Sequence, residues 1–160
     1  MDCVVVSDAW VTAYDYDLKY HPNINQLNYA FGQYLNSNLS VMRESMHIYH
    51  DATGREIMDC VDTTADNIVN SVYDIPDVYE NYYICGFHLG RCTHKKAFAL
   101  AQNRAHRRGK IFVVHNLSML WPSDTLTKLL EPEWFPLVNY STHKGFYTEG
   151  VPTEQSLYNG

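Results

Sequence analysis

Unbroken apolar runs along the chain predict its strands. Residues 82–85 form one such run, which ends at Gly86, and residues 110–115 contain another, which ends at His115. Runs that stay apolar where a half-buried strand would alternate are typical of parallel strands covered on both faces. Shorter apolar or alternating segments predict three further strands, at residues 4–6, at residues 46–49 and from residue 134 onward.

Helices are predicted where apolar positions recur every three or four residues. Such stripes span residues 24–35, 65–72, 93–108 and 126–130. The first helix is expected to end at the polar residues 36–38, and the second to begin at an N-cap formed by Thr63 or Thr64. Strands and helices therefore alternate, which predicts an α/β fold with three layers, α/β/α, around a mainly parallel, Rossmann-like sheet.

The length of 160 residues is that of one domain, and a chain of this size buries about two thirds of its unfolded surface without the help of disulfides. We therefore expect a single domain over residues 1–160, of which residues 141–160 form a surface tail. The four cysteines are irregularly spaced, with no CxxC pair. Because this spacing favours neither disulfides nor a zinc finger, and no segment has the length and apolarity to cross a bilayer, we expect a cytoplasmic protein.

Cys92 lies where the strand at residues 82–85 gives way to a predicted helix. The unpaired N–H groups and the partial positive charge of a helix N-terminus favour a thiolate, and Arg91, Lys95 and Lys96 add positive charge. These conditions turn a cysteine into a nucleophile. The alternative is that Cys92 is a small core residue, since cysteine is among the most buried residue types.

Polar residues follow several predicted strands, and the carboxyl ends of parallel strands share the edge where open α/β sheets bind ligands. Hydrogen-bonded support of neighbouring groups is the more common role of a histidine there. After the first strand, Trp10 either lines a pocket with Tyr14 and Tyr16 or covers the edge of the core, and both interpretations stay open. The candidates assigned to this edge are Asp8, His50, Cys92 and His115.

The order of strand, Gly86, five-residue loop, Cys92 and helix, followed by a glycine and a second strand, resembles the isochorismatase-like cysteine hydrolases, the family of the nicotinamidases. The resemblance is best over residues 82–115. It is weaker over residues 4–8, where a short strand runs into an aspartate, and at the His-Asp pair that ends the strand of residues 46–49.

This resemblance implies a set of roles. Cys92 is the nucleophile, and Asp8 is the general acid and base. The backbone N–H groups of His88 and Cys92 form the oxyanion hole, next to a cis peptide bond between Phe87 and His88. A cis bond without proline costs about 3 kcal/mol or more and persists mainly where function uses it. The residues expected to contact the substrate at this edge are Trp10, His50 and His115.

The chain departs from the family pattern in its middle. The family carries a lysine on an additional strand there, completing an Asp-Lys-Cys triad, but no lysine occurs between Lys19 and Lys95. Arg43, Arg55 or His50 could stand in, although an arginine does not release a proton near neutral pH. The nicotinamidase branch binds a metal through an Asp-x-His pair that this chain lacks, so we expect neither a metal nor another cofactor.

Charge is unevenly distributed along the chain. The net charge is -6, yet residues 81–123 contain seven Lys or Arg residues and no Asp or Glu. Most of this excess lies on the predicted helix over residues 93–108. We interpret it as a solvated helix face and not as a nucleic-acid footprint, because no stacking motif or glycine-rich phosphate loop accompanies it.

The leading hypothesis is a cysteine hydrolase that acts on a small amide or a related C–N bond. The alternative is a catalytically degenerate descendant that keeps the fold as a binding or oligomerisation module, which the missing lysine favours. An anion or nucleic-acid binder that uses the basic helix is a weaker third hypothesis. As partners we expect a small-molecule substrate and further copies of the chain in a homo-oligomer, and neither a membrane nor a nucleic acid.

Overall fold

The computed structural model of the chain describes residues 1–11, 24–87, 92–103, 109–119 and 139–141. The strands within these residues are β1 (Cys3–Ser7), β2 (His47–Asp51), β3 (Asn67–Val69), β4 (Asn81–Gly86), β5 (Lys110–Ser118) and β6 (Asn139–Ser141). The helices are α1 (Ile24–Met42), a 3-10 helix (Val72–Asp74) and α2 (Cys92–Asn103). Predictions for residues 12–23, 88–91, 104–108, 120–138 and 142–160 lie outside the described residues.

The strands join one parallel sheet in the order β3-β2-β1-β4-β5-β6. β1 is central and pairs with β2 on one side and β4 on the other, so that Ser7 lies between Asp51 and Gly86. Parallel neighbours need crossover connections, and α1 and α2 lie in two of them. The carboxyl ends of β1, β2 and β4 therefore lie side by side.

Helices flank both faces of the sheet and enclose two apolar cores. In β4, Tyr82 and Ile84 belong to the core under α2, whereas Tyr83 and Cys85 belong to the core under α1. This alternation explains the unbroken apolar run, since both sets of side chains are covered. The α1 residues in its core are Phe31, Leu35, Leu39 and Met42. The layering confirms the predicted α/β, Rossmann-like fold.

The helix predicted to begin at Thr63 or Thr64 is absent, and the prediction was wrong. Residues 67–69 form β3 instead, and a 3-10 helix follows at Val72–Asp74. The side chain of Asp62 accepts hydrogen bonds from the backbone N–H of Thr64 at 3.0 Å and from its hydroxyl at 2.8 Å, a local turn that competes with a helix start. Ile68 is 59% exposed, so the expected apolar stripe does not face a core.

The predicted end of α1 at residues 36–38 was also wrong, because the helix continues to Met42. Leu39 and Met42 are buried and prolong the apolar stripe by one turn. Ser37 and Asn38 donate side-chain hydrogen bonds to carbonyl oxygens four residues earlier, at 3.2 and 2.9 Å. The polar residues are therefore accommodated within the helix.

β5 runs past its predicted end at His115 to Ser118. Its register against β4 shifts between Ile84 and Gly86, and Ser118 lies beside Gly86. The hydroxyl of Ser118 donates to the carbonyl of Val114 at 2.7 Å within this irregular stretch. β6 is an edge strand and lies within the segment, from residue 134 onward, where an edge strand was predicted. Within the described part of the chain, no helix has both the length and the apolarity needed to cross a membrane.

Candidate functional site

The carboxyl ends of β1, β2 and β4 form the edge to which the sequence assigned its candidate residues. Asp8 directly follows β1, and its backbone N–H donates to the carbonyl of Asp51 at the end of β2, at 3.3 Å. On the other side, the N–H of Phe87 donates to the carbonyl of Ser7 at 2.8 Å. β1 therefore delivers Asp8 between the ends of its two neighbouring strands.

A charge cluster extends from this edge and consists of the buried side chains of Asp8, His50 and Asp66 and the partly exposed side chain of Arg43. The ring of His50 bridges two carboxylates: Nδ1 lies 2.9 Å from Asp8 Oδ2, and Nε2 lies 2.8 Å from Asp66 Oδ2. Arg43 donates to Asp66 through Nε and Nη2, both at 2.7 Å. A two-bond contact between arginine and carboxylate fixes the relative orientation of the groups. The four side chains thus form a continuous chain of hydrogen bonds.

Burial and hydrogen-bonded pairing shift the pKa values of the cluster residues in opposite directions. Burial raises the pKa of Asp8, and the hydrogen bond and charge of His50 only partly offset this. Burial alone would lower the pKa of His50, but the bonds and charges of Asp8 and Asp66 outweigh it and raise that pKa. For Asp66, burial is again the largest influence, yet the bonds from Arg43 and His50 lower its pKa. We therefore take Asp66 as an ionised carboxylate.

The Asp8–His50 pair holds one proton that the two residues share. A histidine donates from both ring nitrogens only as an imidazolium, and an ionised carboxylate only accepts. With both aspartates ionised, His50 is therefore an imidazolium; otherwise the proton lies on Asp8 and Nδ1 accepts it. The two forms have the same total charge, so the pair titrates as a unit. With Arg43 included, the cluster is neutral in charge, as its burial requires.

The second oxygen of Asp8 has no hydrogen-bond partner among the described residues. Asp8 Oδ1 is buried and has no hydrogen-bond partner among the described residues, whereas Oδ2 is bonded to His50. A buried carboxylate oxygen left without a donor is costly, and such groups in native structures call for an explanation. Oδ2 is therefore held by His50, whereas Oδ1 is an acceptor without a described donor.

Gly86 allows the chain to leave the sheet close to Asp8. Its φ angle is 115°, a conformation that side-chain-bearing residues rarely adopt. A Cβ atom there would lie 2.9 Å from the backbone nitrogen of Ser7 and closer still to its carbonyl oxygen. Glycine is therefore required for the close approach of β4 to β1 at the edge.

α2 begins at Cys92, as the predicted strand-to-helix turn requires, and the side chain of Cys92 is half-buried. Lys96 lies one helical turn later and on the same face of the helix. Its Nζ lies 3.4 Å from Asp51 Oδ2 and 3.2 Å from the hydroxyl of Thr53. The first turn of α2 therefore lies against the carboxyl end of β2, and the charge of Lys96 also acts to lower the pKa of Asp8.

Cys92 differs from the other three cysteines, which are buried, and no disulfide joins any of the four. Burial raises the pKa of Cys60 to about 12, with the negative charge of Asp8 adding to the effect. Burial likewise raises the pKa of Cys85 well above its ordinary range. Because only the thiolate is nucleophilic, the raised pKa values disfavour reaction at Cys60 and Cys85, and Cys92 is the one cysteine of the four that is not fully buried.

Trp10 lies at the same edge, next to the residue that follows β2. Its indole Nε1 donates to the carbonyl of Ala52 at 2.8 Å, and the guanidinium of Arg55 lies 4.1 Å above its ring. The backbone of Trp10 also forms an isolated antiparallel bridge with Ile57. These contacts hold the indole in place, and its contact with a substrate stays a prediction.

Of the predicted site residues, His88 lies outside the described residues, and only the backbone of His115 is described. His88, and with it the bond between Phe87 and His88, lies outside the described residues, so the oxyanion hole stays a prediction. His115 lies in β5, within the stretch of shifted register, and its side chain is not described. The structure therefore brings Asp8 and His50 together and places the start of α2 beside β2.

The sequence pattern assigns no role to Asp66, and it identifies Lys96 only as one of several positive charges near Cys92. Asp66 was read as part of a helix start, although the β-branched pair Ile68 and Val69 after it is also compatible with a strand. Nothing in the sequence pairs Asp66 with Arg43 or His50, because these contacts span 23 and 16 residues. Arg43 was considered only as a substitute for the family's lysine.

Within the described residues, no group of three or more His, Cys, Asp or Glu side chains is arranged to hold a metal ion. The residues that approach this most closely in type, Asp8, His50 and Asp66, use their facing atoms to bond one another.

No family model matches the chain, and no curated protein matches it either. Among solved structures, it is similar to a Leishmania major protein provisionally named as a Mar1 ribonuclease. The two share 14% sequence identity with a TM-score of 0.50, and the match covers 88% of this chain and 78% of the other. This likeness supports the α/β fold.

Proposed function

We propose that the chain is a cysteine hydrolase of the isochorismatase-like kind, acting on a small amide or a related C–N bond. The observation that carries the proposal is the state of Asp8, whose carboxylate is held by His50 through one oxygen and left without a described partner on the other. A general base needs an oriented carboxylate with an unused acceptor. The adjacent helix N-terminus with the accessible thiol of Cys92 supplies the nucleophile.

The reaction would proceed in two halves. Asp8 Oδ1 takes the thiol proton, and the sulfur of Cys92 attacks the carbonyl carbon. Asp8 then gives the proton to the leaving nitrogen as the C–N bond breaks, which leaves an acyl thioester. Asp8 deprotonates a water that attacks this thioester, and the proton returns to the sulfur as the carboxylic acid departs. The N–H groups of His88 and Cys92 would stabilise both oxyanions.

His50 supplies a positive charge where the family has its lysine. The other substitutes considered are otherwise engaged, since Arg43 is bonded to Asp66 and Arg55 lies over Trp10. His50 contacts Asp8 directly, and as an imidazolium it favours the ionised form of that carboxylate. Both of its ring nitrogens are occupied by carboxylates, so in this proposal it acts through Asp8 and not by contacting the substrate.

The proposal is tested first on the thiol itself. Iodoacetamide alkylation of each cysteine is followed by peptide mass spectrometry across a pH series, with the three buried cysteines as internal controls. Cys92 is expected to reach its plateau rate with a midpoint well below the ordinary thiol pKa of about 8.5. A midpoint at or above that value would leave only the non-catalytic alternative.

Hydrolysis is tested on nicotinamide and a panel of small aliphatic amides by the release of ammonia. Cys92→Ser should abolish activity, and the isosteric Asp8→Asn should lower it by about 100-fold or more, the usual contribution of a general base. Asp62→Asn is the matched control, because the side chain of Asp62 is exposed and bonds only Thr64 in the described contacts. Equal activity in Asp8→Asn and the parent chain would exclude Asp8 as the base.

The degenerate binding or oligomerisation module is the second candidate, and one observation favours it. The side chain of Asp8 has no exposed surface and is part of a charge-neutral cluster, as a purely structural buried ion pair would be. In this reading Cys92 has an ordinary thiol pKa, and the chain forms a homo-oligomer without turnover. The cytoplasmic location of the protein is likewise proposed from its sequence alone.

A further inference from the structure

The family resemblance assigns no role to Asp66. Yet Asp66 forms at least as many hydrogen bonds within the cluster as Asp8 or His50 does. We propose that Asp66, anchored by Arg43, is a positioning residue that keeps His50 charged and oriented, so that Asp8 stays available as the base. The catalytic consequence rests on the proposed function, whereas the state of His50 does not depend on it.

Three hydrogen bonds fix the orientation of the Asp66 carboxylate. Its Oδ2 lies 2.8 Å from His50 Nε2 and 2.7 Å from Arg43 Nη2, and its Oδ1 lies 2.7 Å from Arg43 Nε. The side chain is 1% exposed, so water does not compete for these bonds. Any rotation of the carboxylate would break at least two bonds at once. Asp66 is therefore a fixed acceptor for the second ring nitrogen of His50.

Three separate parts of the fold hold this arrangement together. Arg43 directly follows α1, and its backbone N–H still donates to the carbonyl of Leu39 at 2.8 Å. Asp66 directly precedes β3, in a turn where its N–H donates to the carbonyl of Thr63 at 3.1 Å. His50 lies on β2, which pairs with β3. The end of α1 and the start of β3 thus fix the ring of His50 from the side opposite Asp8.

The charged surroundings of His50 make the imidazolium the favoured form. Asp8 and Asp66 face its two nitrogens, and Arg43 keeps Asp66 ionised. Beyond them, Lys96 of α2 and Asp51 of β2 act on Asp8 with opposite signs. The charge of Asp8 also acts on the thiols of Cys60 and Cys85, which are protonated because burial raises their pKa values.

Removing the charge of Asp66 should move the shared proton. An asparagine in its place keeps an oxygen acceptor for Nε2 but not the negative charge. His50 then has one counter-ion in place of two, so the neutral imidazole with a protonated Asp8 becomes the favoured form. Asp8 would be lost as a base although neither its position nor its hydrogen bond to His50 had changed.

The experiment measures the protonation of His50 by nitrogen-15 NMR of the imidazole rings in the whole chain. The chain has eight histidines, so the His50 signals are assigned as those lost in His50→Gln. In the parent chain both nitrogens are expected to be protonated at pH 7. In Asp66→Asn the titration midpoint should fall by at least one pH unit, a tenfold change in proton affinity. Asp62→Asn is the matched control and should leave the midpoint unchanged, and Asp66→Glu should restore part of the shift.

A neutral His50 at pH 7 in the parent chain would overturn the proposal without any variant, as would an unchanged midpoint in a folded Asp66→Asn. Where Asp66→Asn does not fold, Arg43→Lys serves instead, since it keeps the charge but loses the two-bond contact, and it should lower the midpoint by a smaller amount.

If the midpoint moves as expected while Cys92 shows no enhanced alkylation and no amide is hydrolysed, the proposed function fails and the positioning role stands. If amides are hydrolysed, Asp66→Asn should lower kcat about tenfold with KM unchanged and shift the pH profile in parallel with the NMR midpoint.

Discussion

His50 lies between two carboxylates, so the proton that it carries links folding to pH. Its pKa is raised above the ordinary value of 6.5, which means that the folded chain holds the proton more tightly than the unfolded chain. This contribution to stability is complete below pH 6.5 and is lost as the pH rises through the folded pKa. The raised pKa of Asp8 reflects the same shared proton, so the pair loses this contribution as a unit.

The pKa of Asp66 is shifted in the opposite direction from that of His50. Its pKa is lowered from the ordinary value of 3.8, so its contribution is present above that pH and is lost as the pH falls through the folded pKa. The free energy of unfolding should therefore be greatest in weak acid, between the ordinary pKa values of an aspartate and a histidine. It should decline toward alkaline pH as His50 loses its proton.

The substitution His50→Gln tests this linkage. Because it leaves two buried carboxylates without their shared donor, it should lower the free energy of unfolding by about 3 kcal/mol near pH 6. It should also flatten the decline between pH 6 and 9. Urea unfolding at a series of pH values measures both effects. His47→Gln changes an exposed histidine of the same strand and should retain the decline; an equally steep decline in His50→Gln would assign the linkage to another group.

The pairing of Asp8 with His50 could be foreseen, because both were expected at the ends of neighbouring parallel strands. The register of β1 and β2 places Val6 beside His50, which leaves Asp8 within reach of its ring. The contacts of Asp66 could not be foreseen in the same way. They depend on a turn and a three-residue strand whose own pattern was too short to identify.

At the scale of elements, the strands with continuous apolar runs were predictable because both of their faces are covered. The segment from Ala65 to Val72 was misread because its apolar residues happen to follow helical spacing. In the structure, Ile68 is on an exposed edge strand and Val72 is buried in a 3-10 helix, so the two never share a face of one helix. Spacing alone does not distinguish these cases over so few residues.

The close approach of β4 to β1 can be tested at Gly86. Alanine there would have to adopt a φ of 115° and would place a Cβ against the backbone of Ser7. Strain and overlap together should lower the free energy of unfolding by about 3 kcal/mol. Denaturant unfolding of Gly86→Ala provides the measurement.

Gly54→Ala separates the two contributions. Gly54 also has a positive φ, 74°, but no atom lies within 4 Å of the position of a Cβ there. This substitution should therefore cost only the conformational strain, about 1 kcal/mol. If both variants lost the same stability, contact with Ser7 would contribute nothing, and the edge beside Asp8 would be less tightly packed than the structure indicates.

At the scale of the whole molecule, the alternation of strands and helices was sufficient to predict a parallel α/β sheet but not its strand order. Right-handed crossovers limit the possible orders without selecting one. The observed order puts β1 in the centre, and for this reason Asp8, from the start of the chain, lies at the same sheet edge as the end of β4, which is 78 residues further along the chain.

The overall charge argues against nucleic acid as a partner. The net charge is -6, and the excess of Lys and Arg is confined to residues 81–123. Of these residues, Lys96 is paired with Asp51. Affinity for nucleic acid depends on how many phosphates are neutralised, and a negatively charged chain with a few clustered cations neutralises few of them. We therefore expect binding to a single-stranded RNA of 20 nucleotides to be weaker than about 100 μM at physiological salt, the weak limit of non-specific binding.

Fluorescence anisotropy of a labelled RNA measures this directly, over a series of salt concentrations. A triple alanine variant at Arg104, Arg107 and Arg108 removes three of the clustered cations and serves as the comparison, and it should behave like the parent chain. Binding tighter than this limit that weakens steeply with salt and disappears in the variant would show that the basic segment at residues 93–108 binds phosphates, because counterion release is the signature of phosphate contacts. The basic segment would then be functional in its own right, independent of the chemistry at Asp8 and Cys92.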